Sequence, residues 1–233
     1  MAKRRSSITS VSIRRLAILE SDWFMGYNHS VRPFFEGISG TVYGFPDRLH
    51  YERFVGRQSI EEAMRHLVQK REVRYLYLAS HGEKTYIKCP NKDRLSREVF
   101  NAILESAIAG SRLDGLYFAS CLFGTRKTAE LLWSVGEVIP RSQRLKWVAG
   151  YTRAVDWMES MALDWLFWST LLTKEMKTPR DNPVTRVQDV VSYLVRVMPE
   201  LCERLQFHVY VRQTGTGEIV DLVADGLGAR TTP

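Results

Sequence analysis

Four short runs of apolar residues recur along the chain, at 16–19, 75–79, 116–119 and 147–151, and each stops abruptly or turns polar within two residues. Tyr-Leu-Tyr-Leu-Ala at 75–79 and Leu-Tyr-Phe-Ala at 116–119 are apolar throughout rather than alternating. Such runs suit strands of a parallel sheet, which is covered on both faces. Between them lie stretches with helical spacing. Residues 60–70 put Ile60, Ala63, Met64 and Leu67 on one side, with Ser59 as N-cap and Glu62 completing a capping box. Residues 96–108 carry Val99, Ile103 and Ala107 on one stripe, and 125–135, 158–172 and 187–205 also read as helices. Residues 207–211 and 219–223, joined across Gly215, Thr216 and Gly217, predict a terminal hairpin. The segment around Gly26, Pro33, Gly37, Gly40, Gly44 and Pro46 reads as loop. Strands alternating with helices predict an α/β fold, a three-layer sandwich whose mostly parallel central sheet is flanked by helices. A flexible basic leader over 1–11 and a single domain over 12–233 are the expected organisation.

The totals remove several classes of function. No run approaches the roughly 18 apolar residues of a membrane span, and the basic start lacks the apolar region of a signal peptide. A cytoplasmic protein is expected. Cys89, Cys121 and Cys202 are odd in number and far apart, which suits a reducing compartment and offers no zinc spacing. No cofactor is expected. The net charge of +7 comes from basic residues spread along the chain, so nucleic acid is not the expected direct ligand. No Gly-rich phosphate loop follows the first strand.

In open parallel sheets, ligands bind beyond the carboxyl ends of the strands. His81 and Cys121 each stand just past the last apolar residue of a strand, forty residues apart. That spacing allows one helix between two neighbouring strands, which would bring thiol and imidazole together. An imidazole beside a thiol is a standard means of activating a nucleophile near neutral pH. Alone, a cysteine in such a setting is usually a small buried hydrophobe, and a lone histidine is usually structural. The shared placement carries the reading. His29, His50, His66 and His208 lack it, and Cys89 and Cys202 read as structural.

These two motifs, Leu78-Ala79-Ser80-His81-Gly82 and Tyr117-Phe118-Ala119-Ser120-Cys121-Leu122-Phe123-Gly124, resemble the caspase-like cysteine peptidases, most closely the bacterial CHAT-type branch. Residues 148–160, running from Val148 through Gly150, Val155 and Asp156 into an aromatic helix, are similar to a third segment of that group. The segment around Cys121 departs from the Gln-Ala-Cys-x-Gly signature of caspases proper, and Ser120 replaces a common alanine. The resemblance implies a caspase/hemoglobinase-like sandwich and a cysteine endopeptidase with His81 and Cys121 as a catalytic dyad. Backbone N–H groups of Gly82 and Cys121 would form the oxyanion hole, each such donor being worth about 3 kcal/mol. Asp156 or Asp22 would receive a basic side chain of the substrate; Trp157 and Tyr151 would instead favour an apolar one. Asp156 reads equally as a helix N-cap. Trp157, Trp165, Phe167 and Trp168 read as core aromatics of one helix. The implied partners are a protein substrate and an activating or regulatory protein, as in a bacterial regulatory or defence protease. The alternative is a catalytically degenerate scaffold of the same fold.

Overall fold

The computed structural model describes residues 15–21, 30–134, 145–213 and 215–231. The leader at 1–11, His29 and Asp22 lie outside them. The chain runs β1 (Leu16–Ser21), α1 (Arg32–Tyr43), β2 (His50–Phe54), α2 (Arg57–Val68), β3 (Tyr75–Ala79), β4 (His81–Gly82), β5 (Tyr86–Lys88) and β6 (Arg94–Ser96). It continues with α3 (Arg97–Ile108), β7 (Gly115–Ala119), α4 (Arg126–Ser134), β8 (Trp147–Tyr151) and α5 (Trp157–Lys177). The last elements are α6 (Pro183–Val197), α7 (Pro199–Leu205), β9 (Phe207–Arg212), β10 (Ile219–Asp221) and α8 (Leu222–Thr231).

Seven strands form one sheet in the order β10-β9-β8-β7-β3-β1-β2, and β4-β5-β6 form a small second sheet. The large sheet is parallel from β2 through β8, with β9 and β10 added antiparallel. Alternate residues of each strand feed two separate cores. Leu16, Ile18, Tyr75, Tyr77, Tyr117, Trp147 and Tyr151 pack under α1, α5, α6 and α7. Ala17, Leu19, Leu76, Leu78, Leu116, Phe118 and Val148 pack under α2, α3 and α4. The apolar runs are therefore buried on both faces, as their composition requires, and the protein is a three-layer α/β sandwich.

Several local expectations change. The stretch read as loop contains α1 and β2, so His50 lies in a strand. Gly37 sits in α1 because a side chain there would meet the Trp165 ring at 2.8 Å. Gly56, not Ser59, is the N-cap of α2; Ser59 lies one turn in, and its hydroxyl accepts the N–H groups of Gly56 and Val55 at 3.0 and 2.9 Å. The helix expected over 187–205 is two, α6 and α7, separated at Met198 before Pro199, because proline lacks the N–H that would continue the ladder. The terminal hairpin forms, but its second strand ends at Asp221 and Val223 belongs to α8.

Two buried carboxylates fix α5 against the sheet. Asp164 takes hydroxyl hydrogen bonds from Tyr77 and Tyr151 at 2.5 Å and from Tyr117. Glu175, three turns on, accepts from the Tyr75 hydroxyl and pairs with Arg186 at 3.0 Å. Of the helix's aromatics, Phe167 and Trp168 are buried. Trp165, expected in the core, is instead exposed, edge-on to Phe34 of α1.

Candidate active site

β3 and β7 are hydrogen-bonded neighbours with Ala79 opposite Ala119. One residue further, the buried hydroxyls of Ser80 and Ser120 share a hydrogen bond of 2.7 Å. Ser120 is thus a buried clasp that holds the two strand ends level. The next residues are His81 and Cys121. Both line one cavity of about 290 Å³ beyond the carboxyl ends of the strands, with Tyr77, Ala119, Tyr151, Val155, Asp156, Trp157, Ser160 and Met161. His81 is exposed and Cys121 is half-buried.

The cysteine segment is held by its backbone. Leu122 sits at φ 62°, in the left-handed region that leucine rarely adopts. Its N–H donates to the Arg153 carbonyl at 3.1 Å, and the Gly124 N–H donates to the Tyr151 carbonyl at 3.1 Å. A non-glycine residue kept there costs about 1–3 kcal/mol, and surrounding bonds must over-determine it. The turn lifts Cys121 out of the strand line. The Cys121 sulfur accepts the Val155 N–H at 3.5 Å, which ties it to the loop leading into α5.

Gly82 packs directly on this segment. A side chain there would stand 2.2 Å from the Cys121 carbonyl oxygen and 2.9 Å from the Ser120 Cβ. Only glycine allows the histidine strand to approach the cysteine backbone so closely. Arg97, nearly buried, reaches both loops: its Nε donates to the Thr128 hydroxyl at 2.8 Å, and its guanidinium also donates to the Lys84 carbonyl. Thr128 in turn donates to the Phe123 carbonyl at 2.7 Å.

Asp156 is the N-cap of α5, its Oδ1 accepting the N–H groups of Met158 and Glu159 at 2.9 and 3.1 Å. Its carboxyl lies at the cavity wall with that oxygen already engaged. Tyr151 and Trp157 also line the cavity, but the Tyr151 hydroxyl points down to Asp164, the Ser160 carbonyl (3.3 Å) and the Tyr117 hydroxyl (3.0 Å). Sequence reasoning missed Tyr77, Ser160 and Met161 as lining residues, and Asp164 behind them. Complete burial pushes the Asp164 carboxyl up to about 6, against the three tyrosine hydrogen bonds, which pull it down. The other two thiols lie apart from the cavity. Cys89 and Cys202 are buried, and burial pushes them up to about 12 and about 11. Among the described residues, no group of three His, Cys, Asp or Glu side chains is placed to hold a metal ion, and no helix is long and apolar enough to cross a membrane.

No protein-family model matches the chain, and no curated protein resembles it closely enough to count as a match. The assignment of a function therefore rests on the site.

Proposed function

We propose that the protein is a caspase-like cysteine endopeptidase in which His81 and Cys121 act as a dyad. The observation that carries this reading is that both side chains line one cavity at the carboxyl ends of adjacent parallel strands. Cys121 gives its thiol proton to His81 as its sulfur attacks the scissile carbonyl, forming a C–S bond. His81 delivers a proton to the departing amine as the C–N bond breaks. Water then hydrolyses the thioester, giving the new carboxyl end and restoring the thiol. Backbone N–H groups of Gly82 and Cys121 are the oxyanion donors in this scheme.

The cavity takes the side chain before the scissile bond. Val155, Trp157, Met161, Tyr77 and Tyr151 offer mostly apolar walls, and Asp156 is engaged as a helix cap. A large apolar residue such as leucine or methionine is the expected fit. The substrate is a partner protein presenting an extended segment, in a bacterial regulatory or defence setting. A catalytically silent scaffold is the contrasting case.

An electrophilic peptide ketone with leucine before the reactive group tests the reading. Peptide mapping is expected to find the adduct on Cys121 alone, with Cys89 and Cys202 unmodified in the folded protein. Equal labelling of all three cysteines, or of none in a folded sample, would remove the support for an activated nucleophile.

A further inference from the structure

The small sheet that carries His81 has a face of its own. His81 stands directly opposite Lys88, and Lys88 directly opposite Arg94. Directly opposed residues project from the same face of a sheet. The other face holds Gly82, Ile87 and Leu95, of which Ile87 and Leu95 are buried in the core. The face with His81 is therefore the outward one, and His81, Lys88 and Arg94 are all exposed on it.

Neither Lys88 nor Arg94 is in an ion pair among the described residues. The Arg94 guanidinium lies 5.1 Å over the Tyr86 ring, which lays it along this face. One row nearer the turn, Glu83 occupies the same face, its N–H donating to the Tyr86 carbonyl at 2.8 Å. It engages neither cation. Beyond His81 the row thus holds two cations, Lys88 and Arg94, leading away from the dyad.

Resting on the peptidase reading above, we propose that Lys88 and Arg94 form a cationic subsite for acidic side chains on the leaving-group side of the scissile bond. The histidine of the dyad gives its proton to the departing amine, so the departing chain passes on the histidine's side. Strands lie about 4.8 Å apart, which puts Lys88 roughly 5 Å and Arg94 roughly 10 Å across the sheet from His81. An extended chain rises about 3.3 Å per residue, so the second to fourth residues after the cleaved bond span that distance. Exposed charge pairs are weak and salt-sensitive, and each cation is expected to supply about a threefold preference.

A peptide library randomised on both sides of the cleaved bond reads this directly. Wild-type protein is expected to enrich Asp and Glu at the second to fourth positions after the bond. Lys88→Ala/Arg94→Ala is expected to lose the enrichment while still cleaving neutral sequences. Lys88→Glu/Arg94→Glu should favour Lys and Arg there instead, and all preferences should shrink at 0.5 M salt. Cleavage without acidic enrichment in the wild type, or enrichment that survives charge reversal, would overturn the subsite and leave the peptidase reading standing. No cleavage by any form would overturn both.

Discussion

Asp164→Ala is expected to destabilise the protein by about 3 kcal/mol, measured by denaturant unfolding at pH 7. The carboxylate lies in the core with three tyrosine hydroxyls donating to it. Removing it leaves a void and strands the Tyr77 hydroxyl, while Tyr117 and Tyr151 keep their mutual bond of 3.0 Å. The cavity floor is built from Tyr77 and Tyr151, so activity on peptides should fall with stability. Asp164→Asn separates charge from packing. With the carboxyl at about 6 when folded and near 3.8 when unfolded, the native state holds a proton that the unfolded chain has lost between those values. Stability contributed at this site is therefore greatest below pH 4, falls as pH rises to 6, and is level above that. The wild type should lose about 3 kcal/mol relative to Asp164→Asn between pH 4 and pH 7. Parallel pH profiles for the two proteins would contradict the burial argument.

Gly82→Ala is expected to lower kcat/KM at least about 100-fold. The new methyl would overlap the Cys121 carbonyl, which is backbone and cannot rotate aside. β4 must then back away from the cysteine segment, and displacing a reacting group by about 1 Å can cost a factor of this size. Gly40→Ala is the control. It lies in the last turn of α1 with nothing within 4 Å of a new methyl. It should leave activity unchanged and raise stability by about 0.5–1 kcal/mol. Equal activity of Gly82→Ala and wild type would mean that the close approach has no part in catalysis.

The sheet was legible because burial on both faces leaves a strand no polar positions. Residues 75–79, 116–119 and 147–151 therefore announced themselves, and the residues just past two of them, His81 and Cys121, line one cavity. The small sheet gave no such signal. β4, β5 and β6 have two or three residues each and bury only Ile87 and Leu95, so neither a run nor an alternation is long enough to see. α1 was hidden by Pro33, Gly37 and Gly40. The proline is tolerated in the first turn, and Gly37 is dictated by the Trp165 ring rather than by a turn. Asp156 carried two readings; its hydrogen bonds to Met158 and Glu159 make it the helix cap, and it also lines the cavity. Asp164 did leave a trace. It lies one turn after Ser160 and one before Trp168, on the buried side of α5, where an acid needs partners. The tyrosines that supply them, at 77, 117 and 151, come from three separate strands, and only the sheet register brings them together.

With His81 and Cys121 working as one catalytic unit, cleavage of a protein-derived peptide library should depend on both. Wild-type protein would be run beside Cys121→Ala and His81→Ala, each verified to unfold at the wild-type temperature. The wild type is expected to cleave, and both variants are expected to lose activity at least about a thousandfold. Cleavage that persists in folded Cys121→Ala, or a folded wild type that cuts nothing, would contradict a working dyad.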